Sequence, residues 1–304
     1  MKACVFAYHN IGLIGIDALI RYGFEIPLVF THDDNPEENI WFGSVVKICE
    51  EKSIEYVTPK TPNSPLWIEK IKAISPDIIF SFYYRHMISK DILAIPKMGA
   101  YNLHGSLLPA YRGRCPVNWV LVNGEEYTGV SLHEMVEKPD AGPIVAQKKV
   151  EILFEDTALT LHGKLEDAAR SMLDEVLPDI KKGRVKKISQ DLSRGSYYGG
   201  RTPEDGRIDW GMSAIEIYNL IRAVTKPYPG AFGFLHDKKI IFWWGLPYER
   251  GDITPGMIYI ADDKVSIGTG SGIMSPHEIE IDGLSLKGDS MLKFFKDHEG
   301  ECLK

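Results

Sequence analysis

Short apolar runs alternate with segments of helical periodicity along the first half of the chain, and this pattern restricts the possible folds more than any other feature. Residues 3–8, 27–31 and 77–84 are apolar and strand-like, and helical spacing separates them at residues 11–22 and 66–74. Continuous apolar strands with intervening helices are typical of a parallel sheet that helices cover on both faces. The sequence therefore predicts an α/β domain, in which ligands bind beyond the carboxyl ends of the strands.

The same alternation continues, less regularly, up to residue 182. We predict a helix at residues 41–52 and a strand at residues 99–106 that runs into a loop. Residues 128–135 and 143–150 could pair as neighbouring strands, and residues 157–182 have the spacing of a long amphipathic helix. These elements extend the α/β domain.

The composition changes at residues 195–206, which are rich in glycine and turn-forming residues and predict a linker or a domain boundary. After a further helix at residues 213–225, only short strands separated by glycine, proline and aspartate are expected. These strands lie at residues 231–235, 239–244, 256–260, 265–267 and 278–281. Such a pattern indicates a small β-barrel or sandwich. A chain of 304 residues is long enough for these two domains.

Charge, cysteine content and hydropathy exclude several classes of protein. A formal net charge of -7 argues against a nucleic-acid partner, because nucleic-acid binders usually carry a basic surface. The cysteines at 4, 49, 115 and 302 are widely spaced, so we expect reduced thiols and no metal site. The apolar N-terminal run is too short for a signal peptide, and no stretch approaches the ~18 apolar residues of a membrane span. We expect a cytoplasmic protein that is not inserted in a membrane.

Asn102 and His104 are the first candidates for chemistry. If residues 101–105 are extended, both side chains point to the same face. The asparagine amide can donate a hydrogen bond to a developing oxyanion, and the imidazole can carry a proton near neutral pH. The pair would suit acyl transfer without a covalent intermediate. A loop histidine with a structural asparagine partner would show the same spacing, so spacing leaves both interpretations open.

Charged residues in two other segments could assist such a site. Asp140 lies in a Pro-Asp-Ala-Gly sequence that is most simply a turn, but its carboxylate could orient the histidine and stabilise the protonated ring. Arg112 and Arg114 flank Gly113 and could bind a phosphate or a carboxylate. The sequence separation between His104 and Asp140 leaves their contact open.

Two other patterns suggest ligand sites that we do not expect. Gly12 and Gly15 follow the first strand, but their spacing is not that of the dinucleotide-binding motif G-x-G-x-x-G. The acidic residues 33–38 could be imagined as a metal site, and a solvated loop is the simpler interpretation. Neither a dinucleotide nor a metal ion is expected.

Together, these segments resemble the folate-dependent formyltransferases. The similarity lies in Asn102-x-His104 with the following Ser-Leu-Leu-Pro, in Tyr-Arg-Gly at residues 111–113, and in Asp-Ala-Gly at residues 140–142. The resemblance implies that Asn102, His104 and Asp140 form the catalytic set and that N10-formyltetrahydrofolate is the cosubstrate. It also implies a Rossmann-like catalytic domain at residues 1–200 and a C-terminal OB-like β-barrel at residues 201–304.

Further segments resemble the UDP-4-amino-4-deoxy-L-arabinose formyltransferase family, which acts in lipid A modification and polymyxin resistance. They lie at residues 6–9, 30–36, 80–86, 118–124, 201–203 and 229–232. This resemblance implies an amino sugar nucleotide as acceptor. In that family the formyl domain is usually fused to a UDP-glucuronate decarboxylase, an activity that we expect to be absent here. By the same analogy, the folate contacts are His86, Met87, Ile88, Arg114, Val136, Glu137, Lys138, Pro139 and Asp140.

Three alternatives share part of this pattern: a methionyl-tRNA formyltransferase, another sugar-nucleotide N-formyltransferase, and a catalytically idle folate-binding module. The net charge and the acidic residues 33–38, where a basic RNA-contacting insertion would be expected, argue against the tRNA enzyme. The presence of all three candidate catalytic residues argues against a pure binding role. Arg112, Arg201 and Arg207 are available for the diphosphate of a sugar nucleotide.

Overall fold

The computed structural model describes residues 1–249 and 254–304, which separate into two compact units. The first unit consists of Met1–Pro116, Tyr127–Glu151 and His162–Gly199, and the second of Val117–Glu126, Ile152–Leu161 and Gly200–Lys304. Two short segments of the first 200 residues therefore belong to the second unit.

A seven-stranded sheet forms the centre of the first unit. The strands of this unit are β1 (Lys2–Ala7), β2 (Glu25–Phe30), β3 (Tyr56–Val57), β4 (Ile78–Phe82), β5 (Ala100–His104), β6 (Arg112–Gly113), β7 (Tyr127–Glu134), β8 (Ile144–Glu151) and β9 (Tyr197–Tyr198). The sheet has the order β3-β2-β1-β4-β5-β7-β8. Strands β1 to β5 pair in parallel, whereas β7 is antiparallel to both β5 and β8. The predicted parallel α/β domain is confirmed, and so is the pairing of the strands expected at residues 128–135 and 143–150.

Four helices of the first 181 residues lie where the periodicity predicts them, whereas the helices at residues 90–93 and 116–122 lie outside the predicted ranges. The helices are α1 (His9–Arg21), α2 (Val45–Glu51), α3 (Pro65–Ile74), α4 (Lys90–Leu93), α5 (Pro116–Val122) and α6 (Ala158–Lys181). The helix predicted at residues 41–52 begins only at Val45, so the prediction is wrong for residues 41–44. The Ser44 hydroxyl accepts a hydrogen bond from the Lys47 amide at 3.3 Å, and this cap fixes the start of α2.

The turn-rich segment at residues 195–206 is more than the linker that its composition predicts. Within it, β9 pairs in parallel with β6, so that Tyr197 and Tyr198 lie beside Arg112 and Gly113. Gly113 has a φ of 98°, and a Cβ at this position would lie 2.2 Å from the Tyr198 carbonyl oxygen. Glycine is therefore required for the close approach of the two strands. The pairing fixes the backbone around Arg112.

The second unit is built on an antiparallel sheet. Its described strands are β10 (Ala231–Leu235), β11 (Lys238–Tyr248), β12 (Ile258–Ala261), β13 (Lys264–Gly268), β14 (Ile273–Ile281) and β15 (Leu284–Lys287), and α7 (Ala214–Val224) and α8 (Gly288–Lys296) accompany them. The sheet order is β10-β11-β14-β13-β12, and β15 pairs with β14. Ser213 and Glu216 form a capping box at the start of α7. The second, β-rich domain is confirmed, although the sequence pattern does not predict β15 and α8.

Apolar side chains from neighbouring strands bury one another in the first unit. The rings of Phe6 on β1 and Phe30 on β2 stack with centroids 4.6 Å apart. Cys4, Ile79 and Ile88 belong to the same buried cluster. This core fixes the strands whose ends carry the candidate site. Among the described helices, none is long and apolar enough to span a membrane.

Candidate active site

Asn102, His104 and His133 lie on one face of the first unit's sheet. Asn102 and His104 are two residues apart on β5, so their side chains point to the same side. The antiparallel pairing places His133 of β7 directly opposite Asn102, and cross-strand partners share a face. His104 is 6% exposed and His133 is 1% exposed, whereas Asn102 is partly exposed. The sheet thus presents a side-chain amide beside two buried imidazoles.

Asp140 reaches this face from the loop between β7 and β8. Its φ of 51° lies in the left-handed region, which aspartate tolerates better than most residues. A Cβ on Gly142 would lie 1.9 Å from the Glu134 carbonyl oxygen, so the Asp-Ala-Gly sequence ends in a glycine that the loop requires. The Gln190 side chain donates to the carbonyls of both Asp140, at 3.0 Å, and Gly142. These contacts hold the carboxylate in place.

The carboxylate of Asp140 lies between the two imidazole rings. His104 Nδ1 is 3.7 Å from Asp140 Oδ2, and His133 Nε2 is 3.4 Å from Asp140 Oδ1. The Gly113 amide donates to Oδ2 at 2.9 Å, and Asn102 Nδ2 is 3.5 Å from Oδ1. The structure therefore brings the three predicted residues together and adds a second histidine.

The environment of Asp140 favours its ionised form. Burial raises the pKa of Asp140, but the charge of a protonated His104, the contact with the His133 ring and the hydrogen bond from the Gly113 amide oppose it. Their combined effect holds the pKa of Asp140 well below its usual range. The site therefore contains a buried carboxylate that is charged at neutral pH.

Backbone carbonyls determine which ring nitrogens carry a hydrogen. His104 Nε2 lies 2.8 Å from the Tyr111 carbonyl oxygen, and because a carbonyl only accepts, Nε2 must donate. By the same argument, His133 Nδ1 donates to the Glu134 carbonyl oxygen at 2.9 Å. The remaining nitrogens, His104 Nδ1 and His133 Nε2, both face Asp140.

Sequence reasoning missed three of these groups. His133 occurs in a segment whose pattern predicts only a strand, and the Tyr111 carbonyl and the Gly113 amide are backbone atoms without a sequence signal of their own. The strand register is what places His133 opposite Asn102. A search for polar residues on the inner face of the strand predicted at 128–135 would have found His133, but not its partner.

The residues expected to contact a folate lie in two loops and one turn. His86, Met87 and Ile88 follow β4, where His86 and Met87 are exposed and the Ile88 side chain is buried in the core. The His86 ring lies 4.7 Å from the His32 ring. Arg114 is exposed after β6. The other predicted contacts, Val136, Glu137, Lys138, Pro139 and Asp140, belong to the loop between β7 and β8.

The two glycines after β1 have a packing role in this structure. A Cβ on Gly15 would lie 2.3 Å from the Phe82 ring, and a Cβ on Gly12 would lie 3.1 Å from the Ala7 side chain. Small residues here allow α1 to approach β1 and β4 closely. No group of three or more histidine, cysteine or acidic residues that could hold a metal ion occurs in the part of the chain that the structure describes.

Two family models match this chain. One described as formyl transferase matches residues 5–177, and one described as formyl transferase, C-terminal domain, matches residues 201–295. The first match covers more than half of the chain. The chain belongs to the formyl transferase family, and it is a formyl-transferring enzyme.

Solved structures with the same fold include several N-formyltransferases. The enzyme from Helicobacter canadensis, in complex with folinic acid and dTDP-3-aminofucose, is 19% identical with a TM-score of 0.71, and the match covers 91% of this chain and 98% of that chain. WlaRD, a sugar 3N-formyl transferase studied with dTDP and 5-N-formyl-THF, is 21% identical with a TM-score of 0.69, covering 95% of this chain and 98% of the other. A 4-N formyltransferase from Francisella tularensis is 20% identical with a TM-score of 0.62, covering 76% and 91%.

Proposed function

We propose that this enzyme transfers the formyl group of N10-formyltetrahydrofolate to the 4-amine of UDP-4-amino-4-deoxy-L-arabinose, a step in lipid A modification. The observation that carries formyl transfer is the ionised Asp140 beside His104, with the Asn102 amide on the same face. The donor and the class of acceptor are supported by the ligands of similar structures, which are folinic acid or 5-N-formyl-THF and dTDP or a dTDP-amino sugar. The resemblance at residues 30–36 and 201–203 supports the particular sugar.

The proposed reaction is a direct attack of the neutral amine on the formyl carbon. A new carbon–nitrogen bond forms, and the carbonyl oxygen becomes an oxyanion. The Asn102 N–H and His104 protonated at Nδ1 stabilise that oxyanion, and Asp140 stabilises the imidazolium. The bond between the formyl carbon and N10 then breaks, the former amine loses a proton, and N10 gains one. The products are the formamido sugar nucleotide and tetrahydrofolate.

His104 exchanges its proton through Nδ1 in this scheme. Its Nε2–H is committed to the Tyr111 carbonyl, so the ring is held in one orientation whatever its charge. Nδ1 is 3.7 Å from Asp140 Oδ2, which is close enough for electrostatic support and longer than a good hydrogen bond. We propose that reacting groups approach His104 on this side.

The folate site is proposed at the loops that follow β4 and β7. Its contacts would be His86, Met87, Ile88, Arg114, Val136, Glu137, Lys138, Pro139 and Asp140. Because the Ile88 side chain is buried in the core, its contact would come mainly from its backbone. The exposed Arg114 suits an anionic part of the cosubstrate.

We propose Arg112 as a ligand of the acceptor diphosphate. It lies between Tyr111 and Gly113, whose backbone atoms contact His104 and Asp140. The residue is 7% exposed, and its Nε and Nη1 have no hydrogen-bond partner among the residues that the structure describes. A buried guanidinium is costly without a partner, and a diphosphate would supply one.

The loop after β2 disfavours a polyanionic acceptor such as tRNA. The Tyr8 hydroxyl donates to Asp34 at 2.9 Å, and Arg85 donates to both carboxylate oxygens of Glu38 at 2.8 and 2.9 Å. These bonds hold the acidic residues near the ends of β1 and β4. RNA binding requires several phosphate contacts, and this loop offers carboxylates instead.

A substrate panel tests this proposal. The purified protein is incubated with N10-formyltetrahydrofolate and UDP-4-amino-4-deoxy-L-arabinose, dTDP-3-amino and dTDP-4-amino sugars, or methionyl-tRNA, and mass spectrometry detects formylated products. We expect product from the UDP sugar and none from the tRNA. Exclusive formylation of a dTDP sugar would contradict the acceptor, and formylation of the tRNA alone would contradict the sugar-nucleotide class. Arg112→Met should raise the KM for the sugar nucleotide without a matching change for the folate.

A further inference from the structure

His133 is a buried titratable group that the proposed reaction does not use. It lies on β7 with 1% of its surface exposed, and its ring contacts both Asn102 and Asp140. A buried imidazole costs free energy unless its nitrogens are hydrogen-bonded, so its partners should reflect a specific arrangement. These partners are the amide and the carboxylate of the candidate active site.

The contacts of His133 cannot all be satisfied by a neutral ring. Because Nδ1 donates to the Glu134 carbonyl, Nε2 of a neutral ring has only a lone pair. It can then accept from Asn102 Nδ2, at 3.3 Å, but it faces the equally lone-paired Asp140 Oδ1 at 3.4 Å. A cationic ring has the opposite properties, since Nε2–H can donate to Asp140 but cannot accept from Asn102.

The protonation state of His133 determines how many of the two Asn102 Nδ2 hydrogens are engaged within the protein. With a neutral His133, one N–H points to His133 and the other to Asp140 at 3.5 Å, so both are engaged within the protein. When His133 donates to Asp140, it no longer accepts from Asn102. One Asn102 N–H is then free to bind another acceptor, and the oxyanion of formyl transfer is such an acceptor.

We propose that His133 is a positioning residue that, by donating to Asp140, releases an Asn102 N–H to the oxyanion. The proposal rests on the formyl-transfer function above. His133 acts through Asn102 and Asp140 and does not contact the reacting atoms. The two imidazoles therefore have different roles beside the same carboxylate. His104, on the Oδ2 side, exchanges a proton in the proposed reaction, and His133, on the Oδ1 side, positions the Asn102 amide.

The ionisable groups near His133 are consistent with separate roles for His133 and His104. Asp140 comes from the loop between β7 and β8, and His104 comes from β5 on the other side of the same carboxylate. Glu134, the next residue on β7, is paired with Lys187 at 2.8 Å through its own carboxylate. Asp140 is therefore the carboxylate that His133 contacts directly.

Substitutions that differ in hydrogen bonding test the proposal. His133→Gln supplies an N–H for Asp140, whereas His133→Leu supplies none. We expect His133→Leu to lower kcat on the order of 10–100-fold with both KM values within about threefold. Without the His133 donor, Asp140 Oδ1 has Asn102 as its nearest side-chain donor and draws the amide away from the oxyanion, while the substrate contacts remain. His133→Gln should recover most of the lost kcat. Thr128→Val is the matched control, since Thr128 is buried on the same strand and its hydroxyl has no described partner.

An NMR measurement gives a readout that does not depend on turnover. The side-chain amide protons of Asn102 should shift in His133→Leu, partly return in His133→Gln, and stay unchanged in Thr128→Val. Equal kcat in wild type and His133→Leu, or a loss confined to KM, would overturn the proposal. So would equally poor activity of the Gln and Leu variants, or an unmoved Asn102 amide. If wild type formylates no amino sugar nucleotide, the proposed function fails, while the Asn102 signals still decide whether His133 positions the amide.

Discussion

Replacing Asn102 with alanine removes the side-chain amide that the proposed mechanism assigns to the oxyanion. Loss of a single oxyanion donor typically lowers the rate about 10²–10³-fold, equivalent to about 2.7–4 kcal/mol of transition-state stabilisation. In the folded enzyme without substrate, the Asn102 amide makes only long hydrogen bonds, at 3.3 Å to His133 and 3.5 Å to Asp140. Such hydrogen bonds contribute no more than about 1 kcal/mol to stability. We therefore expect a large loss of activity with a small loss of stability.

The assay follows kcat for formyl transfer and thermal unfolding in the same preparations. Asn102→Ala should lose at least about 100-fold in kcat while its melting temperature falls by only about 2–4 °C. Asn102→Asp is a second variant that should be more disruptive. The repulsion between its carboxylate and Asp140 Oδ1 would be about 4–5 kcal/mol at an effective dielectric constant of about 20. It should raise the pKa of Asp140. Turnover of Asn102→Ala within threefold of wild type would refute the role of the amide.

Two further perturbations follow from the fold of the first unit. Gly142→Ala places a Cβ 1.9 Å from the Glu134 carbonyl oxygen, so the loop that carries Asp140 must shift and kcat should fall on the order of 10–100-fold. Gly163→Ala is the control, because a Cβ at Gly163 would have nothing within 4 Å. Equal activity of the two variants would contradict this geometry. Burial lowers the pKa of His9 to about 3, against about 6.5 in an unfolded chain. Because the unfolded state therefore binds a proton at a higher pH than the folded state, the free energy of unfolding falls as the pH drops below about 6.5. At pH 5 this difference in pKa lowers the free energy of unfolding by about 2 kcal/mol. Urea unfolding at pH 7 and pH 5 should therefore show a loss of stability about 2 kcal/mol smaller in His9→Asn than in wild type. His236→Asn, at an exposed histidine, is the control and should match wild type.

The sheet could be predicted because its strands carry their own signal. β1, β2 and β4 are apolar runs of the length that a doubly covered parallel strand requires, and the pairing of β7 with β8 was expected because the two strands are neighbours in the chain. The start of α2 could not be predicted from apolar spacing, because the Ser44 hydroxyl decides it. The pairing of β6 with β9 has only two residues per strand and so leaves no periodicity to detect.

The candidate site, like the fold, could be predicted from the sequence only in part. The spacing of Asn102 and His104 predicts that they share a face, and the structure places them so. The approach of Asp140 depends on the fold of its loop, and sequence distance alone left that contact open. His133 was missed because its importance comes from the pairing of β5 with β7, which puts it opposite Asn102. Long-range register is a tertiary property, and side-chain periodicity along one strand does not contain it.

The central claim is that a formyl group moves directly from the folate to a sugar amine. Its most direct test is single-turnover NMR with N10-formyltetrahydrofolate labelled at the formyl carbon, UDP-4-amino-4-deoxy-L-arabinose and excess enzyme. The account predicts that the labelled signal passes from the folate to a formamide on the sugar nucleotide, with one tetrahydrofolate formed for each formamide and with the conversion lost in His104→Ala. Release of the label as free formate, or a signal that remains on the folate in the presence of the amino sugar, would contradict it.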